Sequence, residues 1–254
     1  MKIAISGKGG AGKTTLAGIL ARLFVEQGCK VFAIDADPDA NLALALGFPN
    51  PFQITPLIQM KQLIEERTGA KPNTFSPYFK LNPKVDDIPD SYFTRYKGIN
   101  LAVMGTVRGG GLGCTCPENA FLKALLRHLI VEREEVVILD MEAGIEHLGR
   151  GTVQAVNWLI AVVEPTRLST TTAQRIRKLA FEIGLKNIVA VGNKIRRESD
   201  KEFLIKNMLQ FEFLGFLPYD ELITGEPLLG ISSDSGPHQG ILKEARKIAA
   251  QLGN

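Results

Sequence analysis

The chain has 254 residues, 45% of them hydrophobic, with 30 Lys and Arg against 27 Asp and Glu for a formal net charge of +3. That length can bury a sizeable single core, and nearly balanced charge with only short basic clusters, such as Lys194-Ile195-Arg196-Arg197, argues against a nucleic-acid binder. No apolar stretch reaches the ~18–20 residues that span a bilayer, and three cysteines, two of them one residue apart, do not make the disulfide framework of a secreted domain, so a cytoplasmic location is expected.

The chain opens with Met1-Lys2-Ile3-Ala4-Ile5-Ser6, an apolar run that predicts a buried strand over Ile3–Ser6. It continues into Gly7-Lys8-Gly9-Gly10-Ala11-Gly12-Lys13-Thr14-Thr15, and Leu16–Glu26 then takes up the apolar spacing of a helix. A G-x-x-x-x-G-K-T run between a strand and a helix is a phosphate-binding loop. A strand and phosphate loop here are expected in place of a cleaved leader. The glycines admit backbone angles closed to other residues and let N–H groups approach phosphate oxygens, while the following helix directs its positive end at the same charge. Lys13 is expected against the outer phosphates and Thr14 on Mg²⁺, with Gly9, Gly10, Ala11, Gly12 and Thr15 completing the cradle of a nucleoside triphosphate.

A second strand, Lys30–Asp35, runs into Asp35-Ala36-Asp37-Pro38-Asp39-Ala40-Asn41. Carboxylates at the carboxyl edge of a parallel strand can orient Mg²⁺ waters and an attacking water; a helix cap explains one aspartate but does not need three. From Pro49 to Lys97 the rhythm breaks: seven of the thirteen prolines and three of the four tyrosines fall there. Leu57, Met60 and Ile64 predict a short amphipathic helix in this segment, which reads as an insertion over 49–97 that packs on the domain as cover or also docks a protein.

Asn100–Gly105 predicts the third strand, and Val136–Asp140 a fourth that ends in an acid; Asp140 is expected to hold Mg²⁺ through water. Trp158–Glu164, Ile188–Asn193 and Phe213–Pro218 complete the strands, with helices over Glu118–Glu132, Leu168–Ile183, Asp200–Leu209 and Ile241–Leu252. Unbroken apolar runs alternating with helical patterns predict a single α/β domain over 1–254, a mostly parallel twisted sheet with helices on both faces. The last helix has a narrow, alanine-rich apolar stripe that fits packing on the sheet better than a membrane anchor.

Between the third strand and its helix lies Gly109-Gly110-Gly111-Leu112-Gly113-Cys114-Thr115-Cys116-Pro117-Glu118-Asn119. A helix N-terminus favours thiolates, the form that binds metal. Two sulfurs do not complete a soft-metal shell, but two chains meeting on a two-fold axis bring four, a count suited to Zn²⁺ or Ni²⁺. A C-x-C pair alone is weak evidence.

The K-G-G-x-G-K-T pattern resembles the deviant Walker A loop of the MinD/ParA and nitrogenase iron-protein class. In that class a lysine at the place of Lys8 reaches across a dimer to the partner's nucleotide, in the manner of an arginine finger. The resemblance implies an ATPase that binds ATP and ADP with Mg²⁺. It gives Asp37 the place of the water-orienting acid, Asp140 the Walker B acid, and Gly144 a backbone N–H for the γ-phosphate in a second switch over Met141–His147. It gives Asn193 and Lys194, with Leu217, Pro218 and Asp220, the base-binding loops. Arg196 stands where a guanine reader's N-K-x-D run has its aspartate, so adenine is expected.

Cys114-Thr115-Cys116-Pro117-Glu118-Asn119, together with Asp140-Met141-Glu142-Ala143-Gly144-Ile145-Glu146-His147, is similar to the CooC-type accessory ATPases of carbon monoxide dehydrogenase, with Thr115 a departure from their methionine. That resemblance implies a homodimer promoted by ATP and metal. It implies Ni²⁺ held by Cys114 and Cys116 of both subunits, where sulfur chemistry alone allows Zn²⁺ as readily, and the dehydrogenase apoenzyme as client; neither nucleic acid nor membrane is expected as a partner. His147 is a possible further ligand or an exposed loop residue. A MinD/ParA-like positioning ATPase and an iron-protein-like electron carrier stand as alternatives; the latter type places one cysteine of its cluster after the second switch, where this chain has His147.

Overall fold

The structure, a computed structural model, describes residues 1–71, 78–88, 90–105, 116–145, 148, 150–221 and 238–253. Strands β1 (Lys2–Gly7), β2 (Val31–Ala36), β3 (Thr94–Tyr96), β4 (Ile99–Val103), β5 (Val136–Met141), β6 (Trp158–Val163), β7 (Ile188–Ile195) and β8 (Glu212–Pro218) form one sheet in the order β3-β4-β2-β5-β1-β6-β7-β8. Every neighbouring pair is parallel except β3 with β4. The helices are α1 (Lys13–Glu26), α2 (Leu42–Ala45), α3 (Lys61–Thr68), α4 (Cys116–Val131), α5 (Arg150–Val153), α6 (Arg167–Glu182), α7 (Glu198–Asn207) and α8 (Gln239–Leu252).

Alternate residues of the central strands feed two cores, as the period of a strand requires. Ile3, Ile5, Val31, Ala33 and Ile138 pack with α1, α2 and α8 on one face. Ala4, Phe32, Ile34, Val137 and Leu139 pack with α3, α4 and α6 on the other. With both faces covered, the strands read as continuous apolar runs. On α8, Ile241, Leu242, Ala245, Ile248, Ala249 and Leu252 are all buried, and Gln251 Nε2 donates to the Leu214 carbonyl at 2.9 Å. No helix among the described residues is long and apolar enough to cross a membrane.

The segment expected as an insertion differs from its sequence reading in two ways. Its apolar residues Leu57, Leu63, Ile64, Ile88 and Phe93 are buried against the sheet, and Phe93 meets Phe32 edge to face at 4.9 Å. The single amphipathic helix expected through Leu57 and Met60 is instead a turn of 3₁₀ helix, Leu57–Gln59, followed by α3, because Met60 leaves the helical region at φ −78°, ψ 65°. The segment's end is also part of the sheet: Thr94–Tyr96 forms an antiparallel edge strand on β4. Lys97 and Gly98, at φ 44° and 82°, make the tight turn between them.

Helix starts also shift. Helix α1 begins at Lys13, three residues before its apolar pattern, and α7 begins at Glu198, because Asp200 accepts the N–H groups of Arg196 at 2.8 Å and Arg197 at 3.0 Å and so caps the helix from its first turn.

The packing of α8 yields one prediction. Ile248 is fully buried, and a Cβ on Gly215 of β8 would press on its side chain. Ile248→Ala is expected to lower stability by about 2–5 kcal/mol, measured by urea denaturation. A loss under about 1 kcal/mol would show that α8 lies outside the cooperative core.

Candidate functional site

The phosphate loop is fixed by close approaches that only glycine permits. A Cβ on Gly7 would strike the Val162 carbonyl oxygen of β6, and one on Gly12 would strike the Asn193 amide. Gly12 sits at φ 97° as the N-cap of α1, with no side-chain cap and no acid in the first turn. The first N–H groups of an α-helix have no helical partner, so those of α1 and its positive end face outward unanswered. They open onto a cavity of about 340 Å³ lined by Gly9, Gly10, Gly12, Lys13, Thr14 and Thr15. Asp37, Asp39 and Asn41 form a second wall, and Asn193, Lys194, Pro218–Asp220 and Ile241 a third. Ala11 is buried beneath the loop.

The acids gather because β2 and β5 are adjacent and in register, with Asp35 opposite Asp140. Both are fully buried. Burial raises the Asp140 carboxyl to about 7; the charges of Asp35 and Asp37 add to this, while the Thr14 hydroxyl and Lys13 pull the other way. Neither Asp140 oxygen completes a hydrogen bond among the described residues. Burial likewise lifts Asp35 to about 6, although it accepts the N–H of Asp37 at 3.2 Å and of Leu42 at 2.8 Å. Asp35 thereby ties the loop after β2 to the start of α2, a positioning role that its place in the sequence cluster did not distinguish. Lys13 Nζ lies 3.5 Å from Asp37 Oδ2. An unpartnered buried carboxylate beside a hydroxyl and a second acid is an oxygen donor set suited to Mg²⁺, which Asp140, Thr14 and Asp37 would hold; bound there, the ion would neutralise phosphate charge.

The segment expected as a second switch begins at the end of β5. The Gly144 N–H is donated to the Glu142 carbonyl at 2.7 Å, closing a tight turn. The buried Ser6 hydroxyl bridges the Glu142 and Gly144 carbonyls at 2.8 and 2.9 Å. A contact from Gly144 N–H to a γ-phosphate therefore requires this turn to open.

In the loops expected to bind the base, Asn193 Nδ2 donates to the Ala11 carbonyl at 2.8 Å, and Lys194 Nζ donates to the Gly10 carbonyl at 2.6 Å. Lys194 has φ 59° at an irregularity in the β7–β8 pairing, which turns its side chain back over the loop. Pro218 and Asp220 line the cavity, whereas Leu217 points into the core, as the alternation of β8 dictates. Lys8 is paired with Glu164 at 2.9 Å. Two further contacts shape this edge, one of them through a residue, His238, that had no sequence signal. His238, buried at the start of α8, lies 2.6 Å from Asp220 Oδ2 through its Nδ1, and Arg196 stacks over the Tyr219 ring at 3.6 Å. Cys114 and His147 lie outside the described residues; Cys116 is the first residue of α4, and its side chain lies outside the description too.

A strand, an uncapped phosphate loop and buried acids on the carboxyl edge of a parallel sheet define a P-loop nucleoside-triphosphatase. The family model described as "CobQ/CobB/MinD/ParA nucleotide binding domain" matches residues 2–230. An uncharacterized ATP-binding protein of Methanocaldococcus jannaschii is 52% identical over 91% of this chain and 90% of its own. The carbon monoxide dehydrogenase accessory protein CooC of Rhodospirillum rubrum is 47% identical over 91% of this chain and 89% of its own. A ParA family ATPase from Chlorobium tepidum shares the fold, with a TM-score of 0.68 at 17% identity over 96% of this chain and 97% of that one. The chain belongs to the CobQ/CobB/MinD/ParA nucleotide-binding family and is an ATPase of that family.

Two predictions follow from the buried groups. Asp140 and Asp35 hold a proton more tightly folded than in their ordinary state at 3.8, so the stability they confer is present below about pH 4 and lost as pH rises through about 6 and 7. Asp140→Asn is expected to raise the melting temperature of the nucleotide-free protein at pH 8 by several degrees, at about 2–4 °C per kcal/mol, and to flatten the fall between pH 5 and 8 while weakening Mg²⁺-dependent nucleotide binding. Calorimetry across that range checks the sign. Separately, His238→Ala is expected to weaken MgADP binding about threefold to tenfold by freeing the Asp220 edge, with His238→Gln retaining most of the affinity in equilibrium titrations.

Proposed function

We propose that this chain is an ATP-driven metal carrier that works as a homodimer and assists nickel insertion into carbon monoxide dehydrogenase. The observation that carries the reading is a C-x-C pair in the sequence whose second cysteine opens α4, in a chain with a phosphate-loop cavity and 47% identity to a protein named for accessory service to that dehydrogenase. Thiolates at a helix N-terminus are favoured as metal ligands. Two copies of the pair supply four sulfurs, enough to close a Ni²⁺ or Zn²⁺ shell with Cys114 and Cys116 of each subunit. Such ligands persist in a reducing cytoplasm.

In this reading residues 1–254 act as one ATPase domain, with 49–97 as its insertion. Adenine lies between Asn193 and the Pro218–Asp220 loop, and the phosphates lie on Gly9–Thr15 with Lys13 against the outer ones. Asp37 orients the attacking water as its proton acceptor. Lys8 crosses to the partner's nucleotide and stabilises the charge that develops on the transferring group. Gly144 senses the γ-phosphate by exchanging its Glu142 partner for it, so that hydrolysis lets the turn close again. Nucleotide and metal then favour the same dimer, and each must raise the other's affinity.

The test is metal content and self-association together. With ATP, the wild type is expected to bind about one Ni²⁺ or Zn²⁺ per dimer, and the Cys114→Ser, Cys116→Ser double variant to bind none while still dimerising with ATP. Lys8→Ala is expected to keep monomeric nucleotide binding and to lose ATP-driven dimerisation in light scattering. Metal uptake unaffected by the serine pair, or dimerisation indifferent to metal, would overturn the carrier reading.

A further inference from the structure

Lys8 does not stand free in its own subunit. Its ammonium lies 2.9 Å from Glu164 Oε1, and the other oxygen of that carboxylate lies 3.3 Å from Lys194 Nζ. Lys194 in turn holds the Gly10 carbonyl at 2.6 Å. The Glu164 side chain is 14% exposed, against 31% for Lys8 and 39% for Lys194, so the carboxylate is the sheltered centre of the cluster. Burial pushes its carboxyl up, but the hydrogen bond from Lys8 and the charge of Lys194 outweigh this and hold it below the usual range, ionised.

The two partners differ in how they are held. Glu164 directly follows β6, and its N–H is donated to Ser169 Oγ at 3.1 Å, while Thr166 caps α6 by accepting the Ser169 N–H at 3.3 Å. Its backbone is thus pinned to the sheet and to a helix start. Lys8 is partly exposed and carries its ammonium on a flexible four-carbon stem, so its side chain can swing away while the loop backbone stays in place. Removing one partner of a buried ion pair ordinarily leaves an uncompensated charge. Here Lys194 stays, so Lys8 can leave without orphaning the carboxylate, and a half-exposed pair is itself weak enough to be exchanged.

We propose that Glu164 is the resting anchor of Lys8. It keeps the lysine on its own subunit until ATP brings a second copy of the chain close, and the ammonium then exchanges this carboxylate for the partner's triphosphate. Glu164 is a positioning residue in this scheme: it sets the threshold for ATP-driven dimerisation and touches no nucleotide. The proposal rests on the trans role of Lys8 given above.

The test uses full-length wild type, Glu164→Gln, Glu164→Asp, Lys8→Ala and the Lys8→Ala, Glu164→Gln pair. Glutamine keeps the shape and a hydrogen bond to Lys194 but removes the charge that retains Lys8. The ATP-bound dimer of Glu164→Gln is expected to be about threefold to tenfold tighter than wild type by sedimentation or light scattering, with Glu164→Asp restored towards wild type. Monomer affinity for ADP, measured in parallel, reads any disturbance of Lys194 separately. In the nucleotide-free monomer, the thermal shifts of Lys8→Ala and Glu164→Gln are expected to be non-additive, the mark of a direct pair. An unchanged or weaker Glu164→Gln dimer, with dimerisation abolished by Lys8→Ala, overturns the anchor and leaves the trans lysine standing. Normal dimerisation by Lys8→Ala removes both.

Discussion

Charge and hydrogen-bonding capacity left unanswered at one end of the sheet is the constraint on which the rest of this molecule depends. Asp140 is buried with neither oxygen bonded among the described residues, and α1 begins without a side-chain cap. At α6 and α7 the chain meets such demands locally: Thr166 caps α6, and Asp200 accepts two N–H groups at the start of α7. An unmet helix end and an unmet acid have opposite electrostatic needs, and a magnesium–phosphate group answers both, anion to the helix and cation to the carboxylate. The nucleotide therefore completes a site whose own stability is impaired without it.

The parallel topology concentrates these demands. Parallel pairing brings the carboxyl ends of β1, β2 and β5 to one edge, so the phosphate loop, the loop after Asp35 and the turn after β5 all start from the same edge of the sheet. Hydrogen bonds then couple these pieces across long stretches of sequence. Ser6 of β1 holds the second switch, and Asn193 and Lys194 of β7 hold the carbonyls of the phosphate loop. Glu164, after β6, joins Lys8 to Lys194. A ligand that moves the phosphate loop must therefore act on β6 and β7 as well.

What the sequence revealed follows the physics of local constraint. The Gly7–Thr15 loop was legible because phosphate geometry dictates both its glycines and its lysine, and Asp140 because an acid ending a buried apolar run has few structural uses. The seven long strands were visible as unbroken apolar runs. The edge strand Thr94–Tyr96 was hidden by its three residues, its partial exposure, and a Lys97-Gly98 turn that lacks the usual asparagine or aspartate. Helix α1 starts before its apolar pattern because the first turn serves phosphate and not the core. Ser6, Glu164 and His238 act through partners 18 to 156 residues away, a relation that no local pattern encodes. Leu217 was drawn into the base loop by its neighbours, although strand alternation turns it into the core. The cysteine pair was legible as chemistry alone, and its assignment to a metal continues to rest on residue type and on kinship.

The most direct measurement is the number of protons released when MgADP binds at pH 7, obtained by titration calorimetry in buffers of different ionisation enthalpy. An acid raised to about 7 by burial is partly protonated there, and magnesium at its side drives that proton off. Wild type is expected to release more protons than Asp140→Asn. Equal proton counts in the two proteins would contradict the premise that the bound cation answers this buried charge.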